Sequence, residues 1–274
     1  MQRILIIGED PTVSVRMSEL QTCAIEIADG NAEALQRLRQ RAFELVLTNP
    51  QSSIQEDLAL INEIERIRPG LKIIILAPAA TPEDVIASLR ARVFACFSGP
   101  FDTDEVVEMM SKALEAGNWR SAIEVLSAEP NWIALRVNCQ LLTADRLLRF
   151  MTEFRSDLAD PDRSSLLTAF REILLNGMEH GAGFDSEKVI EVNAVRTKRA
   201  IVYRFRDPGP GFRDKPLPHA AINNPPDNPV AHLEFREAQG LRPGGFGILL
   251  AQQLVDELVF NEVGNEVLLI KYTA

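Results

Sequence analysis

Cysteine, histidine and aromatic side chains are scarce in this sequence, and so is any surplus of positive charge. The three cysteines, Cys23, Cys96 and Cys139, are odd in number and far apart, which leaves no disulfide framework and no metal-ligand spacing. Each sits in an apolar run, where a buried inert thiol is expected. Acidic residues outnumber basic ones in both halves, and the formal net charge is -10. Neither half therefore has the basic excess of a nucleic-acid or anionic-membrane binder. No apolar stretch approaches the ~20 residues of a membrane span. The N-terminal MQRILIIGED reaches an acidic pair after one short apolar run, unlike a signal peptide. A reduced, cytoplasmic setting is the expectation. Only three histidines occur, His180, His219 and His232.

The chain has 274 residues, enough for two domains that each bury a core. Its first half alternates strand-like and helix-like segments. Short β-branched and aliphatic runs at 3–7, 23–28, 44–48, 72–76 and 93–97 predict five strands. Helical stretches are predicted from Asn31, a candidate cap, to about Ala42, and from Leu58 to Ile67. Such alternation predicts a doubly wound parallel sheet covered on both faces. Its chemistry belongs at the carboxyl ends of the strands, where the chain carries Glu9-Asp10, Asn49, Ala77 and Gly99-Pro100.

That pattern resembles the receiver domain of two-component response regulators over about residues 1–120. The resemblance implies an acidic pair after strand one, a phospho-accepting Asp after strand three, Ser/Thr after strand four and Lys-Pro after strand five. Glu9-Asp10 and Pro100-Phe101 fit. Asn49 stands at the acceptor position, and an amide has no carboxylate to attack a phosphoryl group. Ala77 lacks the hydroxyl and Gly99 the ammonium that would meet the phosphoryl group. A phosphorylation-silent pseudo-receiver for docking or dimerisation is expected. Glu9 and Asp10 are then either solvated loop carboxylates or a residual Mg²⁺ site. A helix-rich connector is expected from Thr103 to about Leu126, stopped before Pro130, with a linker at 121–131.

The second half, 132–274, carries more chemistry. Trp132–Asn138 reads as a strand, Ala144–Asp157 as an amphipathic helix and Arg163–His180 as another helix. At about 100° per residue, Asn176 falls roughly 40° from Glu172, Glu179 roughly 20° to the other side and His180 roughly 80° away. The apolar residues Leu166, Leu167, Phe170, Ile173, Leu174 and Met178 take the opposite face. Alone, this fits a solvated helix face as well as a site. Two alternating strands follow, 189–194 and 200–205, and the second runs into Asp207-Pro208-Gly209-Pro210-Gly211. That stretch is either a simple turn or a fixed carboxylate beside backbone that a ligand can approach closely. Residues 213–239 are polar and proline-rich, a length of loop that is uncommon unless functional. It ends at Gly240-Leu241-Arg242-Pro243-Gly244-Gly245-Phe246-Gly247, before a helix at Ile248–Leu258. Glycines there serve as a hinge or, at a helix N-terminus, as an anion site. Glu266–Tyr272 reads as a last strand.

Glu-x-x-x-Asn-x-x-x-His-Gly, then Asp-x-Gly-x-Gly, then Gly-x-x-x-Gly-Gly-Phe-Gly, in this order over 131–274, resembles the Bergerat-type ATP fold of the histidine-kinase-like ATPases. The compact box from Phe170 to Gly181 and the ending from Val255 through Gly264-Asn265-Glu266-Val267 resemble its anti-sigma-factor serine/threonine kinases. The resemblance implies an α/β sandwich that binds ATP and Mg²⁺. It implies that Asn176 coordinates Mg²⁺, Asp207 accepts from the adenine amino group, Gly211 adjoins the base, and Gly244, Gly245 and Gly247 cradle phosphates. Gly209, Gly240 and His180 join the same cofactor set, His180 as a brace for the helix end or the nucleotide edge, and Glu172 becomes the catalytic base. Implied partners are a regulatory protein of the anti-anti-sigma or sigma-factor kind and a second copy of the chain. No histidine precedes residue 180, so no dimerisation-helix phosphoacceptor exists and a histidine autokinase is not expected. Two readings remain: phosphorylation of Ser/Thr on a regulatory partner, or a non-catalytic ATP-dependent binding switch or scaffold.

Overall fold

The computed structural model describes residues 2–8, 23–155, 158–212, 228, 230–238 and 245–273. Glu9, Asp10, Gly240 and Gly244 lie outside the described residues. The chain divides into two compact units, Met1–Ser121 with Arg149–Asp157, and Ala122–Leu148 with Leu158–Ala274.

In the first unit, β1 (Gln2–Ile7), β2 (Cys23–Ala28), β3 (Leu45–Leu47), β4 (Lys72–Ala77) and β5 (Ala95–Ser98) form one sheet ordered β2-β1-β3-β4-β5. All four pairings are parallel. Burial of Ile4–Ile7, Leu45–Leu47 and Ile73–Ala77 explains their unbroken apolar character, because both sheet faces are covered. Among the described residues its helices are α1 (Asn31–Gln40), α2 (Ile54–Ile67), α3 (Pro82–Arg90) and α4 (Thr103–Glu115). Helix α2 begins four residues before the expected Leu58, because Ser53 and Glu56 form a reciprocal capping box. Thr81 and Asp84 do the same for α3, with Pro82 in its first turn. Asn31 is the first helical residue of α1 rather than its cap; Gly30 stands at the cap without a side-chain bond.

The expected helical connector is half right. Helix α4 ends at Glu115, and β6 (Ile123–Glu129) fills most of the segment read as a linker. The alternation Ile-Glu-Val at 123–125 was the missed strand signal. Pro130 and Asn131 are the two-residue turn of a hairpin in which Glu129 pairs with Trp132 of β7 (Trp132–Asn138).

After β7 comes α5 (Leu141–Phe154), which the division into units splits at Arg149; the second unit then continues with α6 (Asp162–Asn176), a π-helical turn at Gly177–Gly181, β8 (Val189–Arg196) and β9 (Ala200–Arg206). Then come α7 (Ala231–Ala238), α8 (Gly247–Leu254), β10 (Glu257–Phe260) and β11 (Glu266–Tyr272). The six strands form an antiparallel sheet ordered β10-β11-β9-β8-β7-β6. Alternate residues, among them Leu135, Val192, Tyr203, Phe205 and Leu269, face the core. Phe170 of α6 lies edge-on to Tyr203 and Phe205, with centroids 4.8 and 4.9 Å away. These contacts anchor α6 over the middle of the sheet and fix the helix that carries Glu172 and Asn176. Helix α7 falls inside the stretch 213–239 that the sequence presents as loop; its Ala-x-Leu-Glu-x-x-Glu-Ala composition favours a helix.

Cys96 and Cys139 are buried, and burial raises both thiols, Cys139 to about 11. Cys23 is only half-buried, since β2 is an edge strand. Among the described residues, no helix is long and apolar enough to cross a membrane.

Candidate functional site

The parallel sheet places Asn49, Ala77 and Gly99 just beyond or at the carboxyl ends of β3, β4 and β5, as expected. The side-chain amide of Asn49 packs against Gly8 at the end of β1, and its Oδ1 accepts the Gln51 amide at 2.9 Å. Gly99 N–H bonds the Ala77 carbonyl at 2.9 Å. This end of the sheet thus presents an amide, a methyl group and a bare backbone where phosphoryl chemistry would need a carboxylate, a hydroxyl and an ammonium. Beneath it, the sequence reading missed a buried carboxylate. Asp57 of α2 accepts the Thr48 hydroxyl at 2.7 Å on one oxygen and the Ser52 hydroxyl at 2.7 Å on the other. Leu76 N–H donates to Thr48 Oγ1 at 3.1 Å, which ties β3 to β4. Burial pushes the Asp57 carboxyl up to about 6, against the pull of the two hydroxyls.

In the second unit a cavity of about 290 Å³ opens between the end of α6, the turn after β9 and the β10–β11 hairpin. Asn176, His180, Asp207 and Gly211, all singled out from the sequence, line it. The wheel positions hold as far as Asn176. Beyond it the chain winds into a π-turn, whose wider loop brings Gly177, His180 and Gly181 onto the cavity wall with Asn176. Glu179 does not join them; its side chain is nearly buried, 4.0 Å from His180 Nε2.

Asp207 is built into the wall from three sides. Its own N–H donates to the Asn265 carbonyl at 3.0 Å, and its Oδ1 accepts the Gly209 N–H at 2.8 Å. Gly181 lies against the same carboxylate so closely that a side chain there would overlap Oδ1. Burial raises the Asp207 carboxyl above its usual range, and the Gly209 N–H opposes that rise. Gly211 has φ +78° and rests on the Val263 carbonyl, a place with no room for a side chain. Phe212 and Phe260, edge-to-face at 5.1 Å, supply the apolar end of the cavity with Phe205 and Ile190.

Glu172 and Gly247 meet each other rather than the cavity. A Cβ at Gly247 would lie 2.7 Å from Glu172 Oε2, so the carboxylate sits at the N-terminal end of α8, with Arg171 Nη1 3.3 Å from Oε1. Gly245 has φ +100° and, like Gly247 and Gly209, is absent from the cavity lining; Gly209 instead shapes the Asp207 turn. Helix α7 presents buried His232 edge-on to Phe246, 4.4 Å between ring centroids, just ahead of Gly247. The polar side chains of the cavity wall without an assigned role from sequence are those of Asn265 and Glu266. Glu266 is held by Arg204 through two bonds of 2.7 and 2.9 Å, which keep its carboxyl below the usual range. Their only sequence signal was the Gly264-Asn265-Glu266-Val267 ending. Among the described residues, no group of three or more His, Cys, Asp and Glu side chains could hold a metal ion. Of the side chains expected to act from the sequence, Asn176 is the one on the cavity wall that could offer an amide oxygen to a divalent cation.

Residues 139–271 match the family model for the histidine kinase-like ATPase domain. Over 130 residues the chain is 25% identical to transcriptional regulatory protein GlrR of Escherichia coli (strain K12), covering 44% of this chain and 29% of that protein. It is 27% identical over 90 residues to transcriptional regulatory protein ZraR of Salmonella typhimurium (strain LT2), covering 33% of this chain and 20% of that one. The chain thus spans under a third of the length of these curated relatives. A crystal structure of a CheY-like response regulator receiver domain protein from Methanospirillum hungatei JF-1 is 25% identical, with a TM-score of 0.37, covering 42% of this chain and 94% of that one.

Proposed function

We propose that this chain, a receiver-like unit joined to a histidine kinase-like ATPase domain, is a signalling regulator that binds Mg-ATP and phosphorylates Ser or Thr on a regulatory partner protein. The observation that carries the nucleotide assignment is the Asp207 carboxylate. It is half-buried in a cavity wall, oriented by Gly209 N–H, and cleared of side chains by Gly181 and Gly209. A carboxylate so held accepts a hydrogen bond from an exocyclic amine such as that of adenine, between the apolar surfaces of Ile173, Phe205 and Phe260. Asn176 offers its amide oxygen to Mg²⁺ and His180 braces the same wall. Bound Mg²⁺ supplies charge neutralisation for the triphosphate. The start of α8 at Gly247 would turn N–H groups toward a phosphate, with Gly245 just ahead of it; Gly244, the third glycine assigned to the phosphates, lies outside the described residues. Glu172, at that same helix end, takes the proton from the attacking hydroxyl. Phosphoryl transfer rests mainly on such positioning and neutralisation.

In this reading the receiver-like unit is phosphorylation-silent, since Asn49 cannot form an acyl phosphate, and it serves for docking or dimerisation. The setting is cytoplasmic, and the partners are a small regulatory protein of the anti-anti-sigma or sigma-factor kind and a second copy of the chain. One observation favours the alternative of a non-catalytic switch: Glu172 is packed against Gly247 and paired with Arg171 instead of facing the cavity. Calorimetric titration of Mg-ATP into wild type and Asp207→Asn tests the nucleotide site. Micromolar binding that Asp207→Asn removes supports it, and no binding by wild type overturns it. Transfer of label from γ-labelled ATP to a Ser/Thr-bearing partner then separates kinase from switch.

A further inference from the structure

The turn that carries Asp207 is wired to the β10–β11 hairpin by a pair of asparagines on which the assignment above does not draw. Asn261 Oδ1 accepts three successive backbone N–H groups, Gly264 at 2.7 Å, Asn265 at 3.1 Å and Glu266 at 3.2 Å. Its Nδ2 donates to Asn265 Oδ1 at 3.0 Å. That bond fixes which end of the Asn265 amide faces outward, and Asn265 Nδ2 donates to the Gly209 carbonyl at 3.1 Å. The same Asn265 accepts the Asp207 N–H through its own carbonyl. Asn265 therefore grips the turn at two points, one on each side of the Gly209 N–H that holds Asp207 Oδ1. Two residues before Asn265, the Val263 carbonyl accepts the Phe212 N–H at 3.1 Å.

We infer that Asn265, oriented by Asn261, is a positioning residue that sets the direction of the Asp207 carboxylate and so the cavity's preference for a 6-amino over a 6-oxo purine. The inference rests on the nucleotide reading above. A fixed carboxylate accepts from an amine and repels a carbonyl oxygen, and the repulsion discriminates only while the carboxylate cannot move aside. Freeing the turn lets Asp207 relax, so the penalty against the oxo base falls along with the gain for the amino base.

The test is calorimetric titration of Mg-ATP and Mg-GTP into the full chain as wild type, Asp207→Asn, Asn265→Asp and Asn265→Ala. Asn265→Asp is isosteric and keeps the acceptor for Asn261, but puts an oxygen against the Gly209 carbonyl; it carries the test if Asn265→Ala fails to fold. Wild type is expected to prefer ATP, and both Asn265 variants to lose about tenfold in ATP affinity with a collapse of the ATP-to-GTP ratio. A merely structural role, or the added charge alone, weakens both nucleotides alike and leaves the ratio intact. Binding that Asp207→Asn abolishes, with an unchanged ratio in both Asn265 variants, overturns this inference and leaves the nucleotide site standing. No binding of either nucleotide by wild type overturns both.

Discussion

Gly181, the last residue of the π-turn, lies against Oδ1 of Asp207 with no room for a side chain between them. The helix that carries Asn176 and the strand that delivers Asp207 thus close on each other through one missing methyl group. Gly181→Ala should push the carboxylate off its Gly209 N–H and into the cavity. Overpacking of this kind costs about 1–3 kcal/mol. The expected result is at least a tenfold loss of Mg-ATP affinity by calorimetry with a small drop in thermal midpoint; unchanged affinity would show that Asp207 does not meet the base.

Asp57 makes the first unit less stable as pH rises. Its folded carboxyl titrates near 6, above the ordinary 3.8, because burial penalises the charge. The folded state thus binds the proton more tightly than the unfolded state. The stabilisation is full below the unfolded value and is lost between roughly pH 4 and pH 6, amounting to at most about 3 kcal/mol. Asp57→Asn removes the charge, and Thr48 can then donate to the Leu76 carbonyl, 3.3 Å away. Urea unfolding of the first unit, read by Trp119 in a Trp132→Phe background, should show the variant gaining about 1–2 kcal/mol on wild type at pH 8 and little at pH 4. A constant difference across that range would remove Asp57 as the titrating group.

Acetyl phosphate should leave wild type unmodified within residues 1–120, because Asn49 has no carboxylate. Asn49→Asp should gain only trace modification, since Ala77 and Gly99 still lack the hydroxyl and the ammonium. Intact-mass spectrometry decides; a phosphorylated wild-type peptide from this unit would end the silent-receiver reading.

The parallel sheet was legible because its strands are buried on both faces, which writes runs such as Ile73-Ile74-Ile75-Leu76 into the sequence. Strand β6 was not, because it lies at a sheet edge and its Leu126 and Glu129 look outward. Of the site, Asn176, His180, Asp207 and Gly211 could be named from motif order, and the structure gathers them. The π-turn could not be read, since a wheel of constant pitch has no place for a fifth residue. Nor could Asp57, or the role of the Asn261–Asn265 pair, because only folding brings Asn265 of the β10–β11 turn to Gly209.

Glu172 separates the two functional readings by a change that leaves its surroundings intact. Glu172→Gln keeps the volume packed on Gly247 and removes only the charge and the basicity. With Asn176, Asp207 and the cavity untouched, Mg-ATP affinity should stay within about threefold of wild type, or tighten, since one negative charge leaves the end of α8 proposed to hold the phosphates. If Glu172 is the base, label transfer to the partner should fall by a factor of about 10²–10⁴. Loss of transfer with retained binding assigns the base. Transfer that persists in Glu172→Gln removes that role and leaves the carboxylate as an anion seated at the α8 terminus.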